Sequence, residues 1–542
     1  MSITLIKGKE FDLDFGGWEV DETGVHKGEG QSFKSASPIP IVPVTILTNI
    51  DTKTEKVEIA FYKYGHWKNI IVPKSTIASK TNIVKMSDSG IEVNSENARN
   101  LVIYLSDVIS RNLHRIPRKD AKSVMGWIGE EFAPYTNSIT FDGDENYKHL
   151  FNAISCKGSL QDWIDFCKPL RENLQMRLMM AASFASPCIE LVGENPFVLH
   201  MYGKTGGGKT VSLMVAMSIW GDPSMGELTR TMNMTNNSMM ATAAFLKNIP
   251  FAGDELQTIK NRWANYDQLI MQVTEGIDRG RMSFDKLNEL KSWKCAFLFT
   301  GEENCVKHGS GGGVVNRVIA VEIEGKLVEN GNVSVNFVKQ HYGNAGKAFI
   351  DVLRNHNVKE MYADLFSRII SDEEISTTDK QAGAMALILL GDELARQTFW
   401  PEEEPIQLSS VKNYMVADEV VDASERAYDY LCDAIAENRN SFDSKAKEIW
   451  GTYEEAISDK MPDKAYIIKK RLEKVLADGG FDLGAVMKSW LEKGYMLRCN
   501  EQCIRFSKYV DKNTYSAYCI VIPKVEQENE LEDLPDTDEL PF

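Results

Sequence analysis

Near the start of the chain, apolar and β-branched residues come in short runs separated by polar turn residues. Residues 41–47 and 57–62 read as strands on that pattern. Pro43 cannot donate to a ladder, so it suits an edge strand better than a central one. Helical spacing follows over 98–112, and the basic stretch Arg111–Lys119 then reads as a solvated linker or a nucleic-acid contact. Residues 162–191 are helical in pattern, with breaks at Pro169 and Pro187. A buried strand over 197–202 runs into a glycine loop and a helix over 209–220. Helical spacing returns between 340 and 400, including 379–397, and the Pro/Glu-rich stretch 400–405 marks a boundary. Beyond it, 422–438 and 464–478 read as helices, and Asp482 is placed to cap a helix over 483–493. Short strands follow at 495–498, 503–509 and 515–522, so the last 120 residues have the order of a winged helix-turn-helix.

The glycine loop changes this from a fold reading to a chemical one. Gly203-Lys204-Thr205-Gly206-Gly207-Gly208-Lys209-Thr210 matches the phosphate-binding P-loop completely, and it stands between a strand and a helix, as the motif requires. Glycines let backbone N–H groups turn toward phosphate oxygens, and the helix N-terminus adds partial positive charge. Lys209 is expected to neutralise the β/γ-phosphates of ATP and Thr210 to ligate Mg²⁺. Such a loop needs an acidic element, and Asp254-Glu255 supplies one after an apolar run. Asp254 would support the metal, and Glu255 would activate the attacking water. Pro250 and Gly253 interrupt that run, and an ordinary surface Asp-Glu pair is the competing reading.

A further strand, 295–300, ends at Thr300, whose hydroxyl can sense the γ-phosphate. The glycine run 309–313 leads to Arg317 at the mouth of the next strand. From there an arginine can reach a neighbouring subunit's phosphate as a finger, or form a local salt bridge. Between Glu255 and Thr300, residues 278–294 read as a β-hairpin carrying Arg279, Arg281, Lys286, Lys291 and Lys294. In ring ATPases an insertion there faces the pore, where basic groups would follow a single-stranded DNA backbone; a solvated hairpin is the rival.

Size and composition bound these readings without deciding them. A chain of 542 residues has room for three or four domains, and 43% hydrophobic and 26% charged residues are ordinary for a globular protein. The longest apolar-leaning stretches reach about a dozen residues, short of the roughly eighteen a membrane span needs. The N-terminus lacks a signal-peptide core, so a cytoplasmic location and no membrane partner are expected. Nine cysteines are scattered from Cys156 to Cys519. Cys499 and Cys503 have no second ligand pair nearby, so reduced thiols rather than a zinc site are expected. The net charge of −17 argues against nucleic acid only at first sight. Eight of the acids lie in 526–542, and a basic channel is compatible with an acidic exterior.

Taken in order, Gly126-Trp127, the P-loop, Trp220-Gly221-Asp222-Pro223, Asp254-Glu255, Thr300-Gly301-Glu302 and Arg317 resemble a family of P-loop ATPases. The family is carried by phages and integrative elements and was long catalogued as a domain of unknown function. Some of its relatives are self-loading, MCM-like AAA+ replicative helicases of staphylococcal cassette chromosomes and pathogenicity islands. The resemblance covers roughly residues 1–400. It implies an α/β fold: an AAA+ P-loop NTPase core, a mixed α/β N-terminal domain and a C-terminal winged-helix-like domain. It also implies a homo-hexameric ring that binds ATP between subunits and translocates on single-stranded DNA.

The expected divisions are an N-terminal domain to 125 (DNA-binding or ring collar), a helical connection 126–190, the core 191–340, a helical lid 341–400, a linker 401–420, the winged-helix-like domain 421–524 and an acidic tail 525–542. Arg354 and Arg368 are both candidates for a second sensor. The terminus Asp538-Glu539-Leu540-Pro541-Phe542 looks like the acidic tip of bacterial single-stranded-DNA-binding proteins, which docks on replication or repair partners; a solubilising tail is the alternative. The leading expectation is a replicative helicase of a phage or mobile element. A remodeller or loader without helicase activity, and a nucleotide-binding origin scaffold, are the competing readings.

Overall fold

The computed structural model describes residues 4–259, 266–278, 282–283, 286–287, 291–307, 310–417, 421–443, 446–458, 461–510 and 513–523. The chain forms two compact units. One comprises residues 1–306, 317–375 and 379–415; the other comprises 307–316, 376–378 and 416–542.

In the first unit, an N-terminal mixed sheet runs in the order Ile139–Phe141, Arg118–Lys122, Ile41–Asn49, Glu55–Lys63, His66–Pro73. Helix Ala98–Arg111 buries Leu101, Tyr104, Leu105 and Val108 in the core beside it, as its 3.6-residue spacing requires. Two expectations need correction here. Ile41–Asn49 is a central strand, not an edge, yet it carries Pro43. The proline is tolerated because the register shifts between Pro43 and Thr45, and the partner on the other side pairs only from Ile46 onward. The N-terminal sheet also takes in Ile139–Phe141, beyond the expected limit at 125.

The core of the first unit is a five-stranded, all-parallel sheet in the order Thr229–Thr231, Phe251–Asp254, Phe297–Gly301, Val198–Tyr202, Val318–Glu322. Its inner strands are almost entirely buried, which accounts for their continuous apolar runs. Gly253 fits this density: a Cβ there would stand 2.2 Å from Met232 Sδ. Beside the sheet, helix Asp379–Phe399 packs on Leu174–Ala185, and Gly391 permits the approach, since a Cβ would fall 2.5 Å from Ala181 O. Pro169 lies in the last turn of helix Leu160–Leu170, and Pro187 starts Cys188–Val192, so both breaks fall where expected.

The segment after Trp400 is not a free boundary. Trp400 is buried with the Arg171 guanidinium 4.1 Å from its ring, and Glu403 pairs with Arg171 at 2.8 Å. The division between units falls between 415 and 416, inside the stretch 401–420 read as a linker.

The second unit has helices Ala423–Glu437, Lys469–Asp478 and Leu483–Glu492 on an antiparallel sheet, ordered Gly451–Glu454, Asp463–Ile468, Asn513–Ile522, Met496–Leu497. Phe506–Val510 also pairs with Asn513–Ile522, completing the winged-helix ribbon. Asp482 caps its helix, accepting from Ala485 N. The expected helix over 464–478 begins only at Lys469. Ala465–Ile467 are instead buried in a strand held on both sides, and tertiary pairing overrides the local helical pattern.

Candidate ATP site

Strand Val198–Tyr202 delivers the chain into the glycine loop at the C-terminal edge of the parallel sheet, where such folds place ligands. Gly206 and Gly208 have φ of +88° and +89°, so both turn the backbone in a way that side chains disfavour. Gly203 and Gly207 are needed for a second reason: a Cβ on either would lie 2.5 Å from the Ile323 side chain. Helix Lys209–Met217 starts directly after Gly208, so its free N–H groups face the loop. Lys209 Nζ donates to Gly203 O at 2.7 Å and Lys204 O at 2.9 Å. Partial burial holds its ammonium below the usual lysine pKa, against the opposing pull of Glu302 and Asp254.

Asp254 ends its strand beside this loop and is 7% exposed. Its Oδ2 accepts from Thr210 Oγ1 at 2.9 Å, and its Oδ1 accepts from the fully buried Thr300 hydroxyl. The adjacent Glu255 is exposed in the left-handed region at φ +59°. That conformation costs a non-glycine residue on the order of 1 kcal/mol and is typical of functional positions.

Thr205, Lys209, Thr210, Asp254, Glu255 and Thr300 line one cavity of about 360 Å³. The arrangement fits a nucleotide triphosphate with a divalent cation. Gly203 and Gly207 leave no room for a side chain, and one hydroxyl and one carboxylate, already 2.9 Å apart, form a hard-oxygen donor set of the kind Mg²⁺ takes.

Other residues of this cavity have no role assigned from the sequence. Glu302 accepts from Thr205 Oγ1 at 2.7 Å, and Lys326 and Glu329 also line the space. Gln257, two residues beyond Glu255, lines it as well, and its Oε1 is buried with no hydrogen-bond partner among the described residues.

The remaining expected site residues lie elsewhere. Arg317 precedes strand Val318–Glu322, whose register sets Val318 beside Val198 and Glu322 beside Tyr202. It therefore stands at the end of the sheet opposite the P-loop, roughly 20 Å away at about 3.3 Å per residue. Ahead of it, Gly312–Val315 forms a helical turn in the second unit, where Ser310 O accepts from Arg426. Arg354 is engaged with Asp351 at 2.7 Å, Arg368 lines a separate cavity, and neither lines the ATP cavity.

In the basic hairpin, Met282–Ser283 pairs antiparallel with Lys286–Leu287, and Ile277 bridges Ser292 at its base. Arg279 and Arg281 lie outside the described residues, as do Gly309 of the glycine run and Asp538–Phe542 of the tail; Lys286 is described in its backbone only. Lys291 is exposed. Lys294 has another occupation: its Nζ donates to Glu194 O at 2.6 Å and Gly193 O at 3.3 Å, at the end of helix Cys188–Val192.

Residues 11–292 match the family model described as "Domain of unknown function (DUF927)", which spans more than half of the chain. The chain belongs to the DUF927 family. Residues 422–525 of this DUF927 protein match the "Cch helix turn helix domain". Its fold is similar to that of "SCCmec type IV Cch - active helicase", with a TM-score of 0.72 and 17% identity, over 94% of this chain and 98% of that one. A second solved structure, "The A form apo structure of NrS-1 C terminal region-CTR", aligns at 9% identity with a TM-score of 0.29 over 88% of this chain and 95% of that one, too slight a likeness to argue from. No curated protein matches. Among the described residues of this DUF927 chain, no helix is long and apolar enough to cross a membrane.

Proposed function

We propose that this protein is an ATP-dependent DNA helicase, acting as a ring on single-stranded DNA in the replication of a phage or other mobile element. The observation that carries the ATPase part is Asp254, which joins the P-loop threonine to Thr300 while Glu255 stands next to it at the same cavity. Lys209 pairs with the phosphates, Thr210 and Asp254 hold Mg²⁺, and Glu255 takes the proton of the attacking water. Bound Mg²⁺ supplies charge neutralisation on the phosphate oxygens. Thr300 orients Asp254. Arg317, at the far end of the sheet from its own P-loop, suits a finger that completes the site of a neighbouring subunit, which is the reason to propose a ring.

The DNA part draws support from the fold likeness to a protein titled an active helicase, from the helix-turn-helix match and from the basic hairpin. On this reading Arg279, Arg281, Lys286 and Lys291 follow the DNA backbone, and the acidic tip Asp538–Phe542 recruits host replication or repair proteins.

The deciding measurement is ATP hydrolysis with and without single-stranded DNA, for the parent and for a variant with Arg279, Arg281 and Lys286 changed to alanine. Stimulation by DNA that the triple change abolishes, with basal hydrolysis retained, is the expected result. Hydrolysis indifferent to DNA in both proteins would replace the translocase with a remodeller or loader. Deleting Leu540–Phe542 is expected to abolish capture of host primase or repair factors, and unchanged capture would end that part of the reading.

A further inference from the structure

Two tight hairpins meet on the N-terminal domain, far along the chain from the ATP site. The first joins Thr4–Ile6 to Lys9–Phe11 through Lys7-Gly8, and the second joins Glu55–Lys63 to His66–Pro73 through Tyr64-Gly65. In both loops the two residues have positive φ: +46° and +75° in the first, +57° and +84° in the second. That is the type I′ geometry, for which Asn-Gly is the favoured pair because a side chain larger than asparagine is strained at the first position. This chain instead puts a lysine at one tip and a tyrosine at the other.

Tyr64 pays for that position with no buried contact. It is 79% exposed, the second highest exposure among the large apolar residues described, although a tyrosine ring in water gains nothing for folding. Lys63 and Lys68 bring their ammonium groups to 5.1 and 5.5 Å from its ring centroid. The two hairpins touch through Trp67, whose Nε1 donates to Lys7 O at 3.4 Å and whose ring lies 5.2 Å from Phe11. Lys9 stands 5.6 Å over Trp67, and Lys7 5.7 Å over Tyr62. Lys7 and Lys63 are matched by Glu22 and Glu92, whereas Lys9 and Lys68 have no carboxylate partner among the described residues.

We infer that this double tip is a single-stranded nucleic-acid contact in which an unstacked base lies on Tyr64 while Lys68 and Lys9 pair with the flanking phosphates. An exposed aromatic ring with one unmatched cation beside it, Lys68, and a second, Lys9, at the adjoining hairpin is what an unpaired strand requires, because every base has a π-face and every linkage one negative charge. An acidic peptide would use the lysines but has no need of a ring held out in a strained turn. Choosing DNA over RNA as the polymer rests on the proposed helicase function; the site itself does not, and its binding needs no nucleotide.

The test is binding of a fluorescent oligo-dT to the full-length protein without ATP, followed by anisotropy, with melting temperature measured alongside. Tyr64→Asn restores the favoured turn pair, so it is expected to keep or raise the melting temperature while weakening binding about tenfold. Tyr64→Trp is expected to bind like the parent, and Lys9→Ala with Lys68→Ala to weaken binding and flatten its salt dependence. A Tyr64→Asn protein that melts like the parent and binds as tightly overturns this inference alone. A parent that does not bind the oligonucleotide at all overturns this inference, while the helicase reading stands or falls separately on DNA-stimulated ATP hydrolysis. Equal weakening in the Tyr64→Asn and Tyr64→Trp proteins would also overturn it, since stacking would then not be the interaction.

Discussion

Thr300 donates its buried hydroxyl to Oδ1 of Asp254, a residue 46 positions earlier in the chain. The two sit at the ends of adjacent parallel strands, and the bond fixes which oxygen Asp254 turns toward Thr210. Thr300 thus acts on the carboxylate proposed to hold the metal rather than pointing freely into the cavity. A hydrogen bond to a charged group is worth about 1.5–3 kcal/mol. Thr300→Val is therefore expected to lower the ATP turnover number by about tenfold or more, and Thr300→Ser to restore most of it. Steady-state hydrolysis across a Mg²⁺ titration checks this; a valine variant with parental turnover would refute it.

Lys209 carries a pH dependence of its own. Burial in the loop depresses its pKa, while binding a triphosphate favours the charged ammonium. Nucleotide binding should therefore take up protons, and affinity should fall as pH rises toward lysine's range, beginning below the point at which a free lysine would titrate. Calorimetry in buffers of different ionisation enthalpy measures the uptake directly. No uptake at any pH below the ordinary lysine value of 10.5 would show the ammonium fully charged before ATP arrives.

Asp392 is 1% exposed, lies on helix Asp379–Phe399, and joins two arginines. Its oxygens accept from Arg171 at 2.9 Å and from Arg177, and Arg171 is itself completely buried against Trp400. Removing the carboxylate leaves a desolvated guanidinium with only Glu403 to balance it. Asp392→Ala is expected to destabilise the first unit by about 3–5 kcal/mol, the usual result of breaking a buried pair from one side. Urea unfolding gives the value, and a loss below about 1 kcal/mol would mean that Glu403 alone suffices.

On helix Ala423–Glu437, Glu425, Asp429 and Asp433 follow one another at four-residue spacing. Partial burial, and then the two flanking acids, raise the pKa of Asp429. A carboxyl raised in the fold binds more protons than in the unfolded chain, so stability falls as pH climbs through the interval above 3.8. The full cost is present at neutral pH and absent below the unfolded pKa. Asp429→Asn should therefore stabilise the second unit at pH 7 by a few tenths of a kcal/mol per relieved pair, with no gain at pH 3. Thermal melts at the two pH values test the sign.

What the sequence determined by itself was whatever depends on near neighbours. The P-loop was legible because its glycine conformations, its lysine and the start of its helix all lie within eight residues, and backbone sterics dictate them locally. The apolar runs of the buried strands and the cap at Asp482 were legible for the same reason. Tertiary structure decided everything that rests on strand order or on distant partners. Pro43 was misplaced because a bulge, which composition does not reveal, lets a central strand carry it. Residues 464–468 have helical spacing in isolation but gain more from ladders on both sides. Neither the Thr300–Asp254 bond nor the Arg171–Asp392 pair, 221 residues apart, has any signature along the chain. Such contacts form only when the sheet and helices close, because a side chain's partner is set by distance in space, which sequence separation does not encode.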